Sequence, residues 1–63
     1  MKLVNLLCIL RADEVVHVIE GDVTVFFGTV RNAFSEIADN ILCNKKVLEV
    51  FSGFGGLCID LYE

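Results

Sequence analysis

Four side chains in this chain of 63 residues could do chemistry together: His17, Glu49, Cys58 and Asp60. If the stretches that hold them are strands, two-residue alternation puts all four on one face of a sheet. A histidine beside two carboxylates can move a proton or hold a cation, and a thiol beside a histidine can be activated toward its thiolate. Neither arrangement is complete. No nucleophile has both a base and a group that orients the base. One histidine and three cysteines without a C-x-x-C pair make too thin a set of soft ligands for zinc within one chain. The four therefore read as an interface histidine, two rim carboxylates and a packed thiol, with no catalytic residue, metal ligand or cofactor expected. Gly53-Phe54-Gly55-Gly56 lacks the G-x-G-x-x-G spacing, because position 58 is Cys, and it leads into a strand, so it reads as a hairpin turn. Phe54 at its tip is expected to fold back onto the sheet, with anchoring of a partner as the alternative.

The elements that must position these residues are legible in the apolar spacing. Leu3, Leu6, Leu7 and Leu10 recur at i, i+3, i+4 and i+7, one stripe of a helix over residues 2–11. Gly21-Asp22 separates two β-rich runs, and glycine at the first central position suits a two-residue type II′ hairpin turn. That turn pairs Glu20 with Val23, Val18 with Val25 and Val16 with Phe27 on one face. On the other it pairs Ile19 with Thr24, His17 with Phe26 and Val15 with Gly28. Phe34, Ile37, Ala38, Ile41 and Leu42 mark a second helix over 33–43, capped by Asn32 or Ser35 and stopped near Asn44 and Lys45-Lys46. Residues 46–54 and 57–62 form a second hairpin. A tight turn at Gly55-Gly56 is expected there, because a wider one over Gly53 to Gly56 sets Glu49 opposite Asp60, a like-charge pair.

The element order is αββαββ. It predicts an α+β fold, a single domain over residues 1–63, with two short helices on one face of a four-stranded, mainly antiparallel sheet. Val16, Val18, Val25, Phe27, Leu48, Val50, Ile59 and Leu61 form the expected core layer. The opposite face carries Val15, Thr24, Val47 and Cys58 together with His17, Ile19, Phe26, Glu49, Phe51, Asp60 and Tyr62. These last seven are the expected partner- or dimer-binding residues, since aromatics among few charges are an interface composition. The halves 1–31 and 32–63 hint at an αββ repeat, with little residue identity between them.

Composition narrows the partners. A chain this short buries only about 60% of its unfolded surface. Hydrophobic residues make up 56% of it and the mean hydropathy is +0.70, more than such a core hides, so a homodimer or an apolar partner surface is expected. Cys8, Cys43 and Cys58, an odd number, read as reduced thiols of a cytosolic protein. A net charge of −4, with only Lys45 and Lys46 adjoining, argues against direct nucleic-acid binding and suits a partner with a basic surface. Residues 2–10 have the outline of a short signal peptide, but Asn5 interrupts the run, Arg11 closes it and no A-x-A site follows. No run approaches the roughly 20 apolar residues of a membrane span, so no membrane partner is expected.

Several short motifs, taken together, point further. Met1-Lys2-Leu3, Leu6-Leu7, Leu10, Val16-x-Val18-x-Glu20-Gly21-Asp22, Phe27-Gly28-Thr29-Val30 and Leu57-x-Ile59-x-Leu61 resemble a loose group of short uncharacterised accessory proteins from phages and prophages of Firmicutes. The resemblance spans nearly the whole chain and departs at the cysteines and at Ser52 to Gly56. It brings no catalytic residues with it. It implies a phage protein in the bacterial host cytoplasm, and so a non-enzymatic inhibitor that binds a host defence machine, such as a CRISPR nuclease, through an acidic and aromatic surface. Two other readings stand beside it. One is a protein that sequesters a small nucleotide signal, with Arg11, Arg31 or Lys46 converging on phosphate. The other is a structural or assembly module that acts by self-association.

Overall fold

In the computed structural model, which describes residues 1–37, 41–53 and 55–62, the first hairpin forms where the sequence places its turn. Strand β1 (Val15–Glu20) meets strand β2 (Val23–Thr29) in antiparallel pairing, with Glu20 opposite Val23 and Gly21 at φ 65°. Helix α1 (Leu3–Ile9) precedes it and buries the leucine stripe through Leu3, Leu6 and Leu7. Helix α2 (Val30–Ile37) follows β2 without a loop. The expected start at residue 33 is thus too late, and the cap is neither Asn32 nor Ser35. Thr29 Oγ1 accepts the Asn32 N–H at 3.2 Å, the bond that satisfies a free donor of the first turn. The expected single helix to residue 43 gives way to a 3-10 helix over Ile41–Asn44. Ala38, Asp39, Asn40 and Phe54, with the roles expected of Ala38 in the stripe and of Phe54 at the hairpin tip, lie outside the described residues.

Strands β3 (Val47–Gly53) and β4 (Gly56–Leu61) form the second antiparallel hairpin. The sheet order is β2-β1-β4-β3, so the two hairpins join through a parallel seam that sets Val16 opposite Leu57, Val18 opposite Ile59 and Glu20 opposite Leu61. Two αββ copies related by a two-fold axis would meet at corresponding strands, β1 with β3 or β2 with β4. The seam pairs β1 with β4 instead, so the hinted repeat is not a symmetry of the sheet.

All the helical elements cover one face. Leu3, Leu6 and Leu7 of α1, Val30, Ala33 and Ile37 of α2, and Cys43 pack with Val16, Val18, Phe26, Ile59 and Leu61 into one cluster. Each large aliphatic side chain removed from water contributes about 1.5–3 kcal/mol, and this cluster is where the chain spends its apolar residues. Cys43 Sγ donates to the Ile37 carbonyl at 2.9 Å, tying the 3-10 helix to the end of α2. At the margin of this face Glu20 of β1 forms an ion pair with Lys45, both side chains about a quarter exposed.

Two irregularities change which residues reach the core. In the first hairpin Ile19 pairs with Thr24 but Val18 pairs with Phe26, so Val25 is an extra residue in β2. Beyond it every side chain of β2 changes face. Phe26 goes into the core at 8% exposure, and Phe27 lies on the other face at 57%. The sequence reading had these two exchanged. In the second hairpin Val47 pairs with Leu61 and Glu49 with Asp60, which leaves Leu48 as the extra residue. Leu48 is therefore exposed instead of lining the core, while Val47 packs against the core cluster instead of facing away from it.

The preferred tight turn at Gly55-Gly56 is also overturned. Gly53 pairs with Gly56, and Glu49 does face Asp60. The reason lies at Gly56, where a Cβ atom would stand 2.4 Å from the Val15 carbonyl oxygen. Only glycine lets β4 begin that close to β1, so Gly56 belongs to the strand, and Gly55 before it takes the left-handed backbone, at φ 78°. Like charges across an exposed edge pair cost a fraction of a kcal/mol, too little to oppose this.

Candidate functional site

The face away from the helices has no element of its own over it among the described residues. Its side chains follow from the registers. Across the middle run Phe27 of β2, His17 of β1, Cys58 of β4 and Phe51 of β3, each opposite the next. The neighbouring row is Thr24, Ile19, Asp60 and Glu49. A third row, toward the other end, brings together Thr29 and Val15, with Gly56 and Gly53 beside them.

His17 sits at the centre of this surface and is held from two sides. Its Nε2 and Thr24 Oγ1 share a hydrogen bond of 2.7 Å. Its ring meets Phe27 edge to face, with centroids 5.2 Å apart and planes at 80°. These contacts fix the imidazole as a structural part of the surface. Cys58, although it points to this side, is fully buried, and its Sγ lies 3.7 Å from the Gly53 carbonyl oxygen. A thiol so enclosed packs as a small hydrophobe. Asp60 and Glu49 stand side by side with no cation in an ion pair with either among the described residues. Two adjacent carboxylates leave a negative corner beside an apolar row.

Of the seven expected site residues, His17, Ile19, Glu49, Phe51 and Asp60 share this face. Tyr62 follows β4, outside the paired registers, and is exposed. Phe26 does not belong to it. The bulge at Val25 turns it into the core, and Phe27, which sequence reasoning missed, takes its place. A signal for this was present: Gly28 lies two residues after Phe26, and a glycine inside a strand marks a bulge or a close approach. The Phe26 ring lies over Gly28, 3.1 Å from where a Cβ would be.

Comparison with protein-family models, curated proteins and solved structures finds no match to this chain. The site must therefore be read from its own geometry. A cavity of about 270 Å³ lies between the α1–β1 connection and the second hairpin, lined by Arg11, Asp13, Glu14, Val15 and Gly55. Of the three cations expected to converge on a phosphate, only Arg11 lines it, and Arg11 is engaged with Asp13 at 3.4 Å. Two carboxylates in the wall repel an anion, so this cavity does not favour a nucleotide signal.

Proposed function

We propose that this protein acts by binding another protein through its uncovered sheet face, and that it serves as a phage-type inhibitor of a bacterial defence machine. The observation that carries the binding role is the row Phe27, His17, Cys58 and Phe51 beside the Asp60 and Glu49 pair. Two exposed phenylalanines flank a centre already stiffened by hydrogen bonding and packing, so little side-chain freedom remains to be lost on contact. The carboxylates select a partner with lysine or arginine opposite them and speed its approach at low salt. The net charge of −4 acts in the same direction. The inhibitory role rests on the resemblance to small phage accessory proteins, and a CRISPR nuclease, whose nucleic-acid channel is basic, is a partner of suitable charge.

The test is a panel of purified defence complexes, CRISPR nucleases included, assayed for co-purification and inhibition at low salt. Phe27→Glu is expected to abolish binding, and Glu49→Lys with Asp60→Lys to weaken it most at low salt. If no complex binds or loses activity, the inhibitory role is wrong. Binding that ignores all three substitutions would place the contact elsewhere on the molecule.

A further inference from the structure

The outer edge of β3 is paired with no further strand of the sheet among the described residues. β3 ends the sheet, and nearly all of its residues are exposed, with Leu48 at 50% and Val50 and Phe51 each at 42%. Val50 lies on the helix-covered side and Phe51 on the open side, so apolar surface wraps both sides of this edge. The chain already pairs along its beginning. Val47 N–H donates to the Met1 carbonyl at 2.8 Å, Leu3 N–H donates to the Lys45 carbonyl at 2.9 Å, and Lys2 bridges Lys46 in antiparallel fashion. Past the bulge at Leu48 the ladder with β4 is regular from Glu49 to Gly53. Within Val47–Gly53 no lysine or proline interrupts the edge, although these are the residues that commonly keep sheet edges apart. The opposite edge differs, because β2 is broken in mid-strand by the bulge at Val25.

We propose that β3 pairs antiparallel with β3 of a second copy about a two-fold axis at Phe51, giving one continuous eight-stranded sheet with all helices on the same side. The register follows from three constraints. Keeping the helices on one side requires a residue that faces itself across an axis normal to the sheet. An axis at Glu49 sets carboxylate against carboxylate, and an axis at Val50 draws the bulged Leu48 into the ladder. The axis at Phe51 uses the regular run and nothing else. Phe51 then faces its own copy, Val50 faces Ser52, and Glu49 faces Gly53. The two Glu49 carboxylates are held about 14 Å apart along the strands, beyond the roughly 8 Å screening length at physiological salt. The open faces of the two copies merge, with the Phe51 pair at the centre.

The register makes the test specific. Light scattering across a concentration series should show the 7.0 kDa mass doubling as concentration rises. Val50→Lys with Ser52→Lys sets like charges opposite each other twice and should give monomer. Val50→Lys with Ser52→Glu sets opposite charges against each other and should restore the dimer. Circular dichroism of both variants verifies the fold, which exposed positions on an edge strand leave intact. A wild-type chain that stays monomeric throughout overturns the proposal. So does a dimer that survives the first pair of substitutions but is broken by Phe27→Glu, because association would then use the open face. Loss of the dimer in both paired variants overturns the register. No host protein enters these measurements, so they succeed or fail apart from the inhibitory role.

Discussion

The exchange of Phe26 and Phe27 by a single extra residue in β2 can be decided by removing each ring in turn. Phe26 is 8% exposed, lies over Gly28 and packs in the cluster that holds Leu3, Leu7, Val18 and Ile59. Truncating such a ring to alanine costs about 3–5 kcal/mol, the transfer term plus the cavity left behind. Phe27 is 57% exposed, and its aromatic contact among the described residues is the edge-to-face pair with His17, so Phe27→Ala should cost about 1 kcal/mol or less. A domain of this size has a total stability of roughly 3–9 kcal/mol. Phe26→Ala is therefore expected to leave the protein unfolded or barely folded, and Phe26→Leu supplies a milder member of the series. Urea unfolding followed by circular dichroism measures all three, and each kcal/mol lost lowers Tm by about 4–8 °C. An unbulged hairpin would reverse the order, with Phe27 in the core. If Phe27→Ala costs as much as Phe26→Ala, or more, the bulge and every face assignment beyond it in β2 are wrong.

Gly56→Ala should destabilise by about 1–3 kcal/mol, as forced overpacking does, because the new methyl meets the Val15 carbonyl oxygen at 2.4 Å. Gly55→Asn is its control: that position has open space and a left-handed backbone that asparagine tolerates, so its urea midpoint should stay close to wild type. Thiol titration under native conditions should modify Cys8 alone, since Cys43 and Cys58 are buried, and all three should react in denaturant. Native modification of Cys58 would mean that the open face is less enclosed than its packing indicates.

The element order and the helix-covered face were legible in the sequence because they rest on long-period signals: a leucine stripe, a Gly-Asp turn and alternating valines. The bulges were not, for a physical reason. Val23, Val25, Phe26 and Phe27 offer apolar side chains to both faces, so alternation does not say which set goes inside. The decision falls to tertiary packing, where Gly28 makes room for one ring and not the other. Electrostatic reasoning failed at Glu49 and Asp60 because a weak surface repulsion was weighed without the steric demand at Gly56, which only the neighbouring strand reveals. The candidate face was legible for the same reason the core was, by alternation along β1 and β4, and it failed at Phe26 and Val47, on the two strands whose alternation a bulge interrupts. Thr29 escaped notice as a cap because it is also the last residue of a strand.

The parallel seam between β1 and β4 sets the order in which the fold can be assembled. Each hairpin closes locally, within microseconds in isolation, but neither buries enough to persist. Val16 and Leu57 meet only after a loop of roughly 40 residues has closed, and that closure is the slow, entropy-limited step. On a ribosome β1 is made well before β4, so for that interval its inner edge is bare and apolar. The nascent chain then resembles an edge strand waiting for a partner, and a truncation before Gly56 would leave it so permanently. Such fragments should aggregate where the 63-residue chain does not.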